Sequence, residues 1–359
     1  MYNRLKKIIL INLFIFFILF FILDFILSNS IFDAKKNSCY QIEKFFYNLK
    51  KNCSGFDKFK SSFPTVEVFT DEQGLRIGKN TKKKNKEKVF IFGDSFTFGV
   101  GLKFEDTFVG ILENKIKNFD FYNFAVGSYS PTVHLFNLET QIQLKNYPSK
   151  IIMFLDMTDV NDEAVRWKVD LGKPILSNTA TYDDFNRKEK FFHKNFKVSR
   201  SFLHYINYQF RIYRSQINPD NLQKIKTSLQ AGFTYKNLNE LGNHYHGDTF
   251  IKGLEKIRDK IFLASNIAKK VNSEFYLVIY PYGETIEFGQ DKFNWENFAE
   301  EICQNDKCKL INTFNAFINY KTKNKNWYSD LFFVGDEHFN VGGNKIIADE
   351  LFLKIFSKY

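Results

Sequence analysis

Residues 8–27 are almost wholly apolar, interrupted only by Asn12 and Asp24. At about 1.5 Å rise per residue, a helix of that length crosses the roughly 30 Å hydrocarbon core of a bilayer, so the run predicts one transmembrane helix. Arg4, Lys6 and Lys7 precede it. Positive charge stays on the cytoplasmic side, which places everything beyond the helix on the exported side. A cleaved signal peptide is the competing reading. The run is longer than the usual h-region of about 7–15 residues, and Ser28-Asn29-Ser30-Ile31 is a poor cleavage site, which favours an uncleaved anchor over residues 1–30. Asp24, near the exit end, reads as a carboxylate tolerated at the interface and not as a functional group.

Beyond this run the pattern changes twice. Residues 31–87 are mostly polar and end in Thr70-Asp71-Glu72-Gln73-Gly74-Leu75-Arg76 and a lysine run, which reads as a stalk with an edge element. From residue 88 onward, apolar runs at 89–92, 121–126, 151–155, 275–280 and 310–311 have the character of buried strands. Helix-length segments lie between and after them, at 107–117, 133–144, 250–271, 295–303 and 343–356. That alternation predicts an α/β domain over 88–359, with a parallel sheet covered by helices on both faces. Catalytic groups in such sheets gather beyond the carboxyl ends of the strands, where Ser95, Gly127 and the 156–162 segment fall. The stretch 163–248 breaks the alternation with many aromatics and charges, few clean strands and expected helices at 202–216 and 221–229. It reads as a mostly helical insertion over the active edge of the sheet, either a selectivity element or a structural subdomain.

Composition changes this picture little. The 44 phenylalanines and the net charge of +11 accompany heavy use of lysine, asparagine and isoleucine, residues that share adenine- and thymine-rich codons, so they carry no argument for nucleic acid. Apart from Lys82-Lys83-Lys84, Lys86 and Lys88, the lysines are spread along the chain, and that short run reads as a solvated linker. A basic exported face would favour acidic polysaccharide or anionic lipid. All four cysteines follow the membrane segment, as Cys39 with Cys53 and Cys303 with Cys308, which suits two local disulfides in an oxidising compartment. Neither pair has a nearby histidine or a CxxC spacing, which counts against zinc. His244 and His246 lack the carboxylate or cysteine support of a metal site. Neither a Walker-type loop nor a carboxylate cluster for phosphodiester chemistry is present, and no cofactor is expected.

The chemistry enters at Gly93-Asp94-Ser95-Phe96, which follows the strand-like run 89–92 and can present a hydroxyl at a turn. A serine hydroxyl attacks at neutral pH only when a histidine takes its proton and donors stabilise the oxyanion. Candidates follow in order as Gly127, Asn161 and His338, with Asp336 two residues before the histidine. Each has a bland reading when taken alone. Ser95 could cap a helix, Gly127 could serve a turn, Asn161 or Asp162 could cap the next segment, and His338 could be a surface histidine. Asp94 reads as organising its turn, and Asp156 and Asp159 as loop carboxylates bonded to neighbouring backbone. The residues together, in order, reverse the bland readings.

In these blocks the chain resembles the SGNH hydrolases, the GDSL-like esterases and lipases. Block one is Gly93-Asp94-Ser95-Phe96-Thr97-Phe98-Gly99 with Gly101 beyond, and block two is Asn123-Phe124-Ala125-Val126-Gly127. Block three matches in part as Asp159-Val160-Asn161-Asp162, with aspartate where the family has glycine. The last is Asp336-Glu337-His338-Phe339-Asn340, followed by Gly342 and Gly343, and its Asp-x-His spacing replaces the usual Asp-x-x-His. That variant is associated with membrane-tethered members linked to polysaccharide acetylation. The resemblance implies a flavodoxin-like three-layer α/β/α fold and a catalytic set of Ser95, His338 and Asp336, with oxyanion donors from Ser95, Gly127 and Asn161.

It further implies a serine esterase that removes O-acyl groups, acetyl above all, from carbohydrate or a cell-envelope polymer through an acyl-enzyme on Ser95. Transfer of the acetyl group to a polysaccharide hydroxyl would use the same residues. With one spanning segment, a transferase would need a separate membrane protein to deliver the acyl donor. A non-catalytic envelope binding or assembly protein retaining the fold is the reading from another class. Expected partners are an acylated carbohydrate or small ester and the membrane, and no nucleic acid.

Overall fold

The computed structural model describes residues 2–30, 38–57, 63–81, 85–177, 247–290, 293–304, 306–334 and 336–358, together with 195–196, 198–200, 202–203, 205–207, 210 and 213. The chain begins with a helix over Tyr2–Ser30. Its Lys6–Ser28 portion has mean hydropathy 2.9 and is only 6% buried, so it is long and apolar enough to cross a membrane. Asp24 departs from the expectation of a merely tolerated carboxylate. It is buried, accepts a hydrogen bond from Ser28 Oγ at 2.8 Å and takes backbone N–H groups of Val198 and Ser199 at 3.0 and 2.8 Å.

The segment read as a stalk folds into two small antiparallel sheets. One pairs β1 (Tyr40–Ile42) with β2 (Tyr47–Leu49), and the other holds β3 (Ser54–Asp57), β4 (Val66–Thr70) and β5 (Arg76–Ile77). Cys39 and Cys53 are joined by a disulfide. Tyr47, Leu49, Phe63 and Val68 share a second hydrophobic core with Phe98, Val126, Tyr129 and Trp167, so these short strands pack on the main domain. Runs of two to five residues leave too little alternation to read from sequence.

The main sheet has five parallel strands, β6 (Glu87–Phe92), β7 (Phe119–Asn123), β8 (Lys150–Leu155), β11 (Glu274–Ile279) and β12 (Lys309–Asn312), in the order β12-β11-β8-β6-β7. In chain order this is the 2-1-3-4-5 arrangement of flavodoxin-like sheets, whose switch point lies between the first and third strands. Here those strands are β6 and β8, paired from Val89↔Lys150 to Phe92↔Met153. Val89 to Phe92 are fully buried without alternation, as strands covered on both faces should be. Lys150 starts β8 in a buried position and is neutralised by Glu274, its register partner on β11. Helices Pro131–Gln143, Gly247–Lys270 and Trp295–Cys303 pack as one layer, and Phe108–Lys115, Phe314–Lys323 and Val341–Leu351 as the other, giving a three-layer α/β/α architecture.

Two differences from the pattern reading have local causes. The last helix starts at Val341 because Asn340 Oδ1 accepts from Gly342 N at 2.8 Å and so caps it. The insertion opens with a hairpin, β9 (Trp167–Asp170) paired with β10 (Lys173–Leu176), where few strands were expected. Its described later residues 198–200, 202–203, 205–207, 210 and 213 are helical. The expected helix at 221–229 and both His244 and His246 lie outside the described residues. Cys303 and Cys308 form the second disulfide.

Candidate active site

Ser95 opens a four-residue helix, Ser95–Phe98, directly beyond the carboxyl end of β6. The cap is Asp94, whose Oδ1 accepts from Phe96 N at 2.9 Å. The capping role that Ser95 could have filled is thus taken, and its hydroxyl is left for other work. A Cβ on Gly93 would stand 2.0 Å from Thr97 Oγ1, so this sharp strand-to-helix turn requires glycine.

His338 Nε2 lies 2.8 Å from Ser95 Oγ across a sequence separation of 243. His338 Nδ1 lies 2.5 Å from Asp336 Oδ1, which also accepts the His338 backbone N–H at 3.1 Å. With its proton on Nδ1 and donated to Asp336, the imidazole presents a lone pair on Nε2 to the serine hydroxyl. Phe96 stacks on the ring at 4.6 Å and 28°, and Phe63 meets it edge-on at 6.1 Å, which fixes the imidazole plane. All three polar residues are buried, Ser95 at 9% exposure being the most open. Asp330, the neighbouring acid, faces Tyr320 Oη at 3.3 Å instead.

Gly127 does not end β7, which stops at Asn123, but sits in the turn beyond it. A Cβ there would meet Ser95 Cβ at 3.8 Å, so its backbone lines the space beside Ser95. That turn is clamped from elements outside the four motifs. Tyr47 Oη donates to Gly127 O at 2.8 Å and Trp167 Nε1 donates to Ser128 O at 2.8 Å. Asn161 ends the short helix Thr158–Asn161 that follows β8. Among the described residues its Oδ1 is buried without a hydrogen-bond partner. Oδ1 is an acceptor, so a substrate oxygen could be met only by the Nδ2 donors at the other end of this amide.

Beneath the turn that carries Ser95 lies a buried acid–phenol network. Tyr280 and Tyr282 donate to Asp156 Oδ2 at 2.9 and 2.7 Å, and Tyr280 Oη also lies 3.4 Å from Asp94 Oδ1. Asp156 Oδ1 accepts from Thr158 N and Oγ1, and Asp159 Oδ2 accepts from Asp156 N, the loop roles expected for these two acids. Burial, with Asp156 alongside, pushes both Asp94 and Asp159 well above the usual carboxylate range. Burial also lifts Asp162 to about 6, against the opposing pull of Arg166 at 2.7 Å.

Arg76 is the residue that pattern reading passed over. Fully buried at the start of β5, it donates to the carbonyl oxygens of Phe98, the last residue of the Ser95 helix, and of Gly99 and Leu102 beyond it. Its guanidinium lies 4.4 Å from the Phe98 ring centroid. Burial draws the guanidinium down to about 10, opposed by Asp57, Tyr40 and Glu105, so it is cationic at neutral pH. Its one sequence signal is a charge just after Gly74-Leu75, in a stretch already rich in polar residues.

Asp336, Glu337 and His338 place three possible metal-ligand atoms within 4.8 Å of one another. The imidazole already engages Asp336 and Ser95, so a cation here would have to displace one of those bonds.

No known family profile matches this chain, and no curated protein does. Among solved structures it is similar to a lipolytic protein of the G-D-S-L family from Veillonella parvula, with TM-score 0.40 and 14% identity, covering 76% of this chain and 100% of that one. It is also similar to TesA, with TM-score 0.41 and 7% identity, covering 76% of this chain and 100% of that one. A third is an acetylxylan esterase from Geobacillus stearothermophilus, with TM-score 0.40 and 11% identity, covering 77% and 97%. These are likenesses of fold at low identity.

Proposed function

We propose that this chain is a serine ester hydrolase whose body is tethered to a membrane by its N-terminal helix and which removes O-acyl groups, acetyl above all, from carbohydrate or cell-envelope polymer. The observation that carries the reading is the relay Asp336–His338–Ser95, with separations of 2.5 and 2.8 Å. Ser95 Oγ attacks the ester carbonyl carbon while His338 Nε2 takes its proton, and Asp336 steadies the imidazolium. Negative charge on the carbonyl oxygen is received by the backbone N–H groups of Ser95 and Gly127 and the amide of Asn161. His338 returns the proton to the departing alkoxide, leaving an acyl-enzyme on Ser95. A water molecule, deprotonated by His338, then attacks the acyl carbon, and the carboxylic acid leaves as the serine proton is restored.

Small-ester hydrolysis tests this directly. Wild-type protein is expected to release acetate from an aryl acetate and from an acetylated oligosaccharide, and Ser95→Ala to release none above background. Equal rates in the two proteins would remove the proposal.

A further inference from the structure

The spanning helix and the insertion meet at one point. Asp24 accepts the backbone N–H groups of Val198 and Ser199 and also the Ser199 hydroxyl. It therefore supplies, from another element, the acceptor that the first turn of a helix lacks. Phe196 packs edge-on against Phe21 at 5.7 Å and lies 6.3 Å from Phe25. Asp24 stands 16 residues beyond Ile8, where the apolar run begins. At 1.5 Å per residue that is about 24 Å, close to the far boundary of a core about 30 Å thick.

The helical residues that follow carry large apolar side chains pointing outward. Phe202, Leu203, Tyr205, Ile206, Phe210 and Tyr213 are 48–62% exposed. Phe202, Ile206, Phe210 and Tyr213 recur at spacings of four, four and three residues, the recurrence of one helix face, and each is helical. Facing water, this would be an unusually apolar surface for a soluble domain. The sequence between Glu189 and Asp220 holds six lysines and arginines and no acidic residue. Aromatic and aliphatic residues on one face, cations nearby and a start at the bilayer boundary are the features of a helix lying in the lipid interface, with the cations drawn to anionic headgroups.

We propose that the described helical residues between 198 and 213 make a second membrane contact, fastened by Asp24 to the exit end of the spanning helix and seated in an anionic lipid surface. This rests on the reading of the N-terminal helix as a membrane anchor. Its consequence is positional: the anchor and the insertion grip the same leaflet, which holds the hydrolase body over the membrane surface.

All four cysteines are paired in disulfides, so single introduced cysteines in the full chain can be spin-labelled. The chain would be reconstituted in vesicles of phosphatidylcholine and phosphatidylglycerol with labels at Phe16→Cys, Phe202→Cys, Ile206→Cys or, as the aqueous reference, Leu171→Cys at the exposed hairpin tip. Collision with oxygen relative to a water-soluble nickel chelate reports depth. The expected result is a ratio several-fold above the Leu171→Cys value at Phe202→Cys and Ile206→Cys, with Phe16→Cys higher still. Values at Phe202→Cys and Ile206→Cys equal to the Leu171→Cys reference, with Phe16→Cys deep, would overturn the interfacial helix and leave the anchor standing. An aqueous Phe16→Cys label would overturn the anchor and this proposal with it. Adding Asp24→Ala to Phe202→Cys should shift that label toward water, and an unchanged ratio would overturn the fastening role of Asp24.

Discussion

Tyr47 Oη donates to the carbonyl oxygen of Gly127 at 2.8 Å, linking a strand of the small N-terminal sheet to the turn beside Ser95. Tyr129 Oη returns a bond to Tyr47 O at 2.7 Å, and Trp167 packs against both rings. Tyr47→Phe keeps the ring contacts and removes one bond, a net effect of about 0.5–1.5 kcal/mol. If the bond holds the Gly127 N–H in place for the oxyanion, kcat on an aryl acetate should fall about threefold to tenfold with KM little changed. Unaltered kcat would assign Tyr47 to packing alone.

Asn161 and Asp336 differ in what they are asked to supply. Asn161→Ala, removing one oxyanion donor, should lower kcat by about 10²–10³. Asp336→Asn should cost about 10⁴, because an amide at that position favours the wrong histidine tautomer. Asp330→Asn should change kcat by less than about twofold, since that acid faces Tyr320. Steady-state kinetics on the three variants checks the assignment, and it fails if Asp330→Asn is the damaging one.

Arg76 satisfies three carbonyl oxygens in the loop that follows Ser95. Arg76→Met would leave the Phe98 and Leu102 oxygens buried without donors, while Gly99 O keeps the Leu102 N–H at 3.2 Å, at a cost of about 1–3 kcal/mol for each one left unsatisfied. Thermal midpoint and turnover should therefore fall together, and Arg76→Lys should recover only part of either, because an ammonium cannot span the fork of acceptors. Turnover retained in a destabilised Arg76→Met protein would separate the loop from the chemistry.

Glu274 gives a pH dependence of known sign. Burial would raise its carboxyl, but hydrogen bonds from Lys150, Lys309 and Tyr276 outweigh this and bring it from 4.5 down to about 2. The depressed value contributes stability that is present above pH 4.5 and is lost as pH falls through about 2. Glu274→Gln should thus lower the thermal midpoint at pH 7, and the gap from wild type should narrow steadily below pH 4.5. A gap of the same size at both ends would mean that shape, not charge, is what the site needs.

Chelation should leave ester hydrolysis unchanged, because the proposed steps run through Ser95, His338 and backbone donors. Reversible inhibition by a chelator, restored by a divalent cation, would point to the Asp336, Glu337 and His338 atoms as ligands.

The parallel sheet could be read from sequence because strands such as 89–92 and 151–155 are continuous apolar runs, a pattern that burial on both faces dictates. Ser95 and His338 could be paired in advance because each sits in a compact motif. What escaped were partners defined by distance in space. Arg76 and Tyr47 act on segments 22 to 80 residues away, and no local feature of either one names its partner. Asp24 looked incidental for the same reason, since its partners lie 174 and 175 residues downstream. The short strands of 38–81 were lost because their packing comes from aromatic contacts with the main domain and not from their own alternation.

Labelling of the detergent-solubilised full chain with a fluorophosphonate, followed by peptide mass spectrometry, measures serine activation directly. The account predicts one adduct, on Ser95, absent in Ser95→Ala and strongly reduced in His338→Ala. A folded wild-type protein that carries no adduct, or carries it on another serine, would contradict the proposed nucleophile.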